Sequence, residues 1–311
     1  MLTVHGLLRN CFRSPKHKVC FAIWLFAGTF PGSAIATSVV VAVTPDRIVI
    51  GADGKDFAIG ADGKAVPNAT FLKIVLLKHH LTVATLAIGR KESPYGEADL
   101  YDFLTFIGEI DKQTHSNLSV TELTRIIKEQ CPKAFAFLND YLRTHTEDQA
   151  RKIGLGPVAV KYVIAGFENG RPLVRDVTLI IDWQTHTLQN PVEFPLYPEE
   201  AQGSHRPYVD LFSGGGGMQP AIKEPDSKER KEFIARVPVE FQIMESHGEF
   251  TRDQASNVIR ALLSIDAKAD PTKVGFPLTI VTIPRAGQGW VRTYKQDVFT
   301  LSQLPEGKAR R

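Results

Sequence analysis

Beyond residue 37 the chain alternates short apolar runs with turn residues, and the period of the pattern changes along its length. Residues 38–43 and 47–52 are β-rich runs parted by Thr44, Pro45 and Asp46, which predicts a hairpin. A polar stretch, 53–68, follows, and GADGK occurs twice, at 51–55 and 60–64. Strand-like runs at 71–77 and 81–88 flank Lys78, His79 and His80. The spacing then becomes helical over 97–110 and 120–144, as in Leu123, Ile126, Ile127, Cys131 and Phe135. Ser119 and Glu122 form a capping box at the start of the second of these segments. After a linker at 152–157, runs at 158–167, 172–183 and 187–194 predict a meander, with Asn169 and Gly170 as its first turn.

A loop rich in proline and charge, 197–207, leads to a short strand at 208–212, then to Ser213 and four glycines. Helices follow. The clearest is 252–265, capped by Thr251 and Gln254, with Ala255, Val258, Ile259 and Leu262 on its apolar face. Residues 278–283 and 290–294 read as closing strands, and 304–311 as a flexible tail. Strands and helices come in segregated groups, which argues α+β layers around antiparallel sheets and against an alternating βαβ fold. Two sheets stacked face to face, with helices outside, bury both sets of amphipathic helices. Residues 37–311 are expected to form one domain.

Residues 1–36 read differently. Arg9, Arg13, Lys16 and Lys18 precede an apolar run at 19–30, then Pro31, Gly32 and the small-residue pattern Ala34-Ile35-Ala36. These are the parts of a cleaved secretory signal, and the apolar run is too short for a membrane-spanning helix. Removing this segment takes away four basic residues and no acids, so the formal charge moves from +3 to −1. No nucleic-acid partner is expected, and no membrane association after cleavage. Cys11 and Cys20 lie in the signal, which leaves Cys131 alone and excludes an internal disulfide in the exported chain. The histidines of 37–311 show no metal-binding spacing, so no metal is expected, and no cofactor. Two glycosylation triplets begin at Asn68 and Asn117, a pattern that also arises often by chance.

Cleavage between Ala36 and Thr37 leaves a threonine with a free α-amine beside its hydroxyl. Residues 37–53 read TSVVVAVTPDRIVIGAD. This stretch resembles the start of a proteasome β-type subunit, of the N-terminal-nucleophile (Ntn) hydrolases. In that family a threonine opens the mature chain and an aspartate closes the second strand at the spacing of Thr37 and Asp53. The family next places a lysine at the start of the third strand, matched by Lys73 in KIVLL. The loop before it is four residues longer here. Residues 84–89, ATLAIG, resemble loosely the family's fourth strand, which ends in small residues and glycine. The resemblance implies a four-layer αββα sandwich, two stacked antiparallel sheets flanked by helices. It covers most of 37–300 and is specific over the first fifty or so mature residues.

The residue types also suit the chemistry on their own. A free α-amine titrates near pH 7.7–8.0 and so is a fitting base for a hydroxyl on the same residue. A lysine kept charged by an aspartate lowers the amine's pKa and stabilises the developing alkoxide. The resemblance assigns these roles to Lys73 and Asp53, and the oxyanion hole to backbone N–H groups at Ile88 and Gly89. Departures from the family pattern are specific. The oxyanion-hole glycine aligns with Ile88, and Gly89 stands one residue later. The supporting serine falls on Ser213, or on Gly215 where it is absent. Asp270 matches the family's later aspartate, without the serine that accompanies it. Ala36 fits a signal peptidase, where the family self-cleaves after glycine. The bland alternatives are a first-strand threonine, a strand-end turn aspartate and a solvated edge-strand lysine. Ser213 and the glycines after it lack the spacing of a phosphate-binding loop.

The sequence thus predicts an exported amide-bond hydrolase, a threonine peptidase or amidase, periplasmic or extracellular. Its substrate is a peptide or another small amide. Homo-oligomerisation stays open, and no ATP-driven unfoldase is expected outside the cytosol. The competing prediction is a catalytically silent, proteasome-like binding or scaffold protein.

Overall fold

The computed structural model describes residues 38–44, 46–55, 58–59, 65–66, 71–77, 80–87, 90–91, 101–113, 118–152, 155–195, 208–213, 228, 231, 252–269, 271 and 274–295. Its elements in chain order are β1 (Ser38–Thr44), β2 (Arg47–Asp53), β3 (Ala58–Ile59), β4 (Ala65–Val66), β5 (Ile74–Leu76), β6 (Thr82–Ala87), β7 (Arg90–Lys91) and β8 (Tyr101–Asp102). Helices α1 (Phe103–Gln113), α2 (Val120–Ala134), α3 (Leu138–Thr144) and α4 (Glu147–Lys152) come next. Strands β9 (Val158–Glu168), β10 (Arg171–Asp182), β11 (Thr187–Leu188), β12 (Val192–Pro195) and β13 (Tyr208–Ser213) precede α5 (Arg252–Ala269), β14 (Leu278–Pro284) and β15 (Trp290–Tyr294).

The molecule is a mixed α+β protein whose described residues form two large antiparallel sheets and two short two-stranded ones, β3-β4 and β7-β8. One large sheet runs β13-β1-β2-β14-β15; the other runs β11-β10-β9-β6-β5, with β12 also paired to β10. Alternation along β1 sorts its side chains between two apolar clusters. Val39, Val41 and Val43 join Ile48, Ile50, Val281 and Ile283 of their own sheet with Ala84, Leu86, Val163 and Val174 of the other. Val40 and Ala42 turn the opposite way, against Ala255, Val258, Ile259 and Leu262 of α5. A third cluster joins the remaining face of the second sheet to α1, α2 and α3 through Phe103, Ile107, Leu123, Ile127, Leu138 and Tyr162. Within it the hydroxyls of Tyr101 and Tyr162 lie 2.6 Å apart. Burial pushes the Cys131 thiol up to about 12, so it stays protonated and inert.

The predicted hairpin at 38–52 is present, with Val39 opposite Ala52 and Thr44 opposite Arg47. The turn at Asn169 and Gly170 is also as expected. Both residues have positive φ, 52° and 72°, as a two-residue hairpin turn of type I′ requires. Ser119 caps α2 by accepting the N–H of Glu122 at 3.1 Å.

Other boundaries differ from the sequence expectation. The helix expected over 120–144 is two helices, parted at Phe135–Phe137. Pro132 lies inside the first of these, which runs on past it to Ala134. Bonds of i→i−3 type, Ala136 to Lys133 and Leu138 to Phe135, then carry the chain into α3. The segment expected to be helical over 97–110 is helical only from Phe103, because Tyr101 and Asp102 pair with Lys91 and Arg90. Residues 71–73 do not belong to a strand, and α4 was not expected at all. Among the described residues no helix is long and apolar enough to cross a membrane. The signal segment, the sequon asparagines Asn68 and Asn117, the Thr251 cap and the tail at 304–311 lie outside the described residues.

Gly51 is where α5 comes closest to β2. A Cβ at Gly51 would stand 2.2 Å from Ile259 Cγ2 and 3.0 Å from Leu263 Cδ1. Isoleucine is stiff at this branch, so α5 must move as a body. Gly51→Ala gains at most about 1 kcal/mol from the stiffer unfolded chain. Overpacking costs about 1–3 kcal/mol and wins. A lower urea midpoint with an unchanged slope is the expected result; an equal or higher midpoint contradicts this packing.

Candidate functional site

Asp53 ends β2, opposite Leu278 of β14, and its carboxylate is the hub of the site. Its Oδ1 accepts the backbone N–H of Ser38 at 2.8 Å and the Lys73 ammonium at 3.0 Å. Its Oδ2 accepts Lys73 at 3.2 Å and the backbone N–H groups of Lys55 and Gly275 at 3.1 and 3.3 Å. The pair is removed from water, with side-chain exposures of 4 % for Lys73 and 0 % for Asp53. Lys73 is therefore a buried, partnered lysine and not a solvated one on a strand edge. Burial, the largest influence, pushes the Asp53 carboxyl above the usual range, and the Lys73 charge is the strongest influence pulling it back. The Ser38 and Gly275 N–H groups act in the same direction as Lys73.

Local backbone structure explains why Lys73 reaches Asp53. Phe71 donates its N–H to Gly54 O at 2.8 Å, which fastens the segment before β5 to the end of β2. The Lys73 carbonyl accepts Thr85 N–H at 2.8 Å, which holds Lys73 beside β6. Gly54 in turn donates to Gly275 O at 3.2 Å. A Cβ at Gly54 would lie 2.4 Å from the Pro277 carbonyl oxygen, so only glycine permits this approach. The Lys55 ammonium reaches the Pro271 carbonyl. One carboxylate thus ties together the start of β1, the end of β2, the approach to β5 and the approach to β14.

Of the residues expected at the site, Asp53 and Lys73 are brought together, and Ser38, next in sequence to Thr37, is held on the same carboxylate oxygen as Lys73. Ser213 is the last residue of β13, directly opposite Ser38 in the ladder. Thr37, Ile88, Gly89, Gly215 and Asp270 lie outside the described residues. Four participants were not expected from the sequence: Ser38, Lys55, Gly275 and Asp266. The Ser38 hydroxyl donates to Asp266 Oδ2, and Asp266 is fully buried on α5. Asp266 had a signal that went unread. It stands four residues after Leu262 and seven after Ile259, so helical periodicity puts an acid on the apolar stripe.

Chemically, the arrangement holds an ammonium next to the amide of the first β1 residue, in surroundings where water is scarce. Such a group stabilises negative charge that develops close by and raises the acidity of a neighbouring ammonium or hydroxyl. Among the described residues no three His, Cys, Asp or Glu side chains are grouped to hold a metal ion. No protein-family model and no curated protein matches this chain.

Proposed function

We propose that this chain is an exported hydrolase of amide bonds, with Thr37 as nucleophile once cleavage after Ala36 has freed its α-amine. The observation that carries this reading is the buried Asp53–Lys73 pair and its grip on Ser38 N–H. Taking a lysine and an aspartate out of water costs several kcal/mol per ion, and an apolar pair would pack the same space at no such cost. A pair kept at that expense beside the residue that follows Thr37 is better accounted for by chemistry than by stability. The three apolar clusters support the finer fold reading, a four-layer αββα sandwich of the Ntn-hydrolase type.

In this reading the Thr37 amine takes the hydroxyl proton as Oγ attacks the substrate carbonyl. The C–N bond then breaks, and the amine returns that proton to the leaving nitrogen. A water attacks the resulting ester, again deprotonated by the Thr37 amine, and releases the carboxylic acid while Thr37 regains its proton. Lys73 lowers the pKa of the amine and stabilises the alkoxide. Asp53 holds the Lys73 ammonium and Ser38 in place. Backbone N–H groups at Ile88 and Gly89 are the proposed oxyanion donors, with support from Ser213, Gly215 or Asp270. The substrate is a peptide or a small amide, the compartment the periplasm or the exterior, and no unfoldase or cofactor takes part.

Maturation is the direct test. N-terminal sequencing and intact mass of the exported protein are expected to give Thr37 as the first residue. A mature chain that starts at Met1, or beyond Thr37, removes the amine from beside the hydroxyl and ends this assignment.

A further inference from the structure

We propose that Asp266 is a positioning residue for the amino terminus of the mature chain and acts through the hydroxyl of Ser38. This inference rests on the reading of Thr37 as nucleophile and adds to it a residue from a different part of the chain. Ser38 is held from three directions. Its N–H goes to Asp53 Oδ1, its hydroxyl to Asp266 on α5, and its backbone lies in the ladder opposite Ser213. The first contact fixes where the amide points. The second fixes rotation about the residue, because a side chain anchored at Oγ cannot swing without dragging its Cα. A peptide unit is planar, so whatever fixes the amide of one residue fixes the plane that contains the preceding Cα. Holding Ser38 at both N and Oγ therefore restricts the arc available to a terminal residue joined to it.

Asp266 is an acid at a position where the spacing of α5 otherwise places apolar residues. Asp266 occupies the apolar stripe of α5, whose neighbours Leu262, Leu263 and Ile265 pack in the same cluster as Val40 and Ala42 of β1. A buried carboxylate is disfavoured unless it is hydrogen-bonded. Alternation along β1 sends Ser38 toward α5, on the side of Val40 and Ala42, and that is where the hydroxyl finds its acceptor. Positioning of this kind matters for a nucleophile and base carried on one residue. Displacement of reacting atoms by about 1 Å costs on the order of 10²-fold in rate.

The test uses the mature exported protein and a peptide epoxyketone, a probe that consumes both groups of Thr37. The hydroxyl adds to the ketone and the amine opens the epoxide. The amine proton ends on the new hydroxyl, nothing leaves, and the protein gains the full mass of the probe. Ser38→Ala and Asp266→Ala are each expected to slow adduct formation about 10- to 100-fold. The double variant should be no slower than the slower single, since both remove one contact. Asp266→Asn keeps an acceptor of the same shape, should fold even where Asp266→Ala does not, and should restore most of the rate. Ile127→Ala, in the cluster on the far sheet, sets the effect of lost stability alone and should react at the parent rate well below its melting temperature. A parent-like rate in Ser38→Ala or in a folded Asp266→Ala overturns the proposal, and so does an Asp266→Asn protein that folds but reacts as slowly as Ser38→Ala. So does multiplication of the two single effects, or a loss that Ile127→Ala reproduces. A parent protein that takes up no probe overturns the Thr37 reading itself, whereas a reactive parent with indifferent variants overturns only the role of Asp266.

Discussion

Thr37→Ala is expected to abolish amide hydrolysis while leaving the fold intact. Removing the attacking atom from a nucleophile-and-base unit costs on the order of 10⁶ in turnover. Activity should fall to the assay floor, and the cyclic adduct should disappear with it. One hydroxyl and one methyl at a chain terminus contribute little apolar area, so stability should change by no more than about 0.5 kcal/mol. Thr37→Ser keeps hydroxyl and amine and should keep measurable activity. The comparison is made on a peptide amide that the parent hydrolyses, with both proteins shown by mass to begin at residue 37. Hydrolysis by Thr37→Ala at the parent rate would sink the threonine mechanism and move the binding-protein reading ahead.

Lys73→Met is expected to damage both chemistry and stability, and the two effects separate in a second variant. Losing the ammonium removes charge stabilisation at the alkoxide, about 10²–10³-fold in rate. It also strands Asp53, buried and charged, at a cost of about 3–5 kcal/mol. Adding Asp53→Asn removes the stranded charge and should recover most of the stability without recovering the rate. pH gives an independent check. Lys73 is the chief influence that pulls the raised Asp53 carboxyl back down, so its loss raises that carboxyl further. A group whose folded pKa is raised contributes fully below the unfolded value, about 3.9 for aspartate, and loses that contribution as pH rises through the folded value. The penalty of Lys73→Met should therefore shrink as pH is lowered from 7 toward 4. Urea titrations across that range read it directly. A double variant that regains both stability and full activity would reduce the pair to a packing device.

Much of the fold was legible because local chemistry set it. The hairpin at β1 and β2, the Asn169-Gly170 turn and the face of α5 all follow from alternation, turn residues and helical spacing. Sheet order was not legible. Strand β14 joins β2, and β13 joins β1, across long separations that no local pattern encodes. Helix α4 was missed although its signal was present. Thr146 N–H donates to Gln149 Oε1 at 2.8 Å while the Gln149 N–H reaches the Thr146 hydroxyl at 3.3 Å, a reciprocal cap readable as Thr-x-x-Gln. At the site, Asp53 and Lys73 were legible through the family resemblance, Asp53 by its spacing from Thr37 and Lys73 by its place before the apolar run KIVLL, after a loop four residues longer than the family's. Ser38 and Gly275 were not, because they bind Asp53 through backbone N–H groups, which any residue but proline supplies. Asp266 was legible in principle, as an acid on an apolar stripe, but its partner lies 228 residues away.

Strand β1 lies inside its sheet, with β13 on one flank and β2 on the other. A chain end made by cleavage at residue 37 would continue directly into that doubly bonded strand. Exopeptidases bind their substrates as loose, extended ends and draw several residues into a narrow cleft. Ser38 is already committed, its N–H to Asp53 and its hydroxyl to Asp266. Trimming past the threonine would have to peel β1 from both neighbours. For a chain that opens at Thr37, the grip on Ser38 would thus also act as a guard, keeping ragged ends from forming next to the threonine.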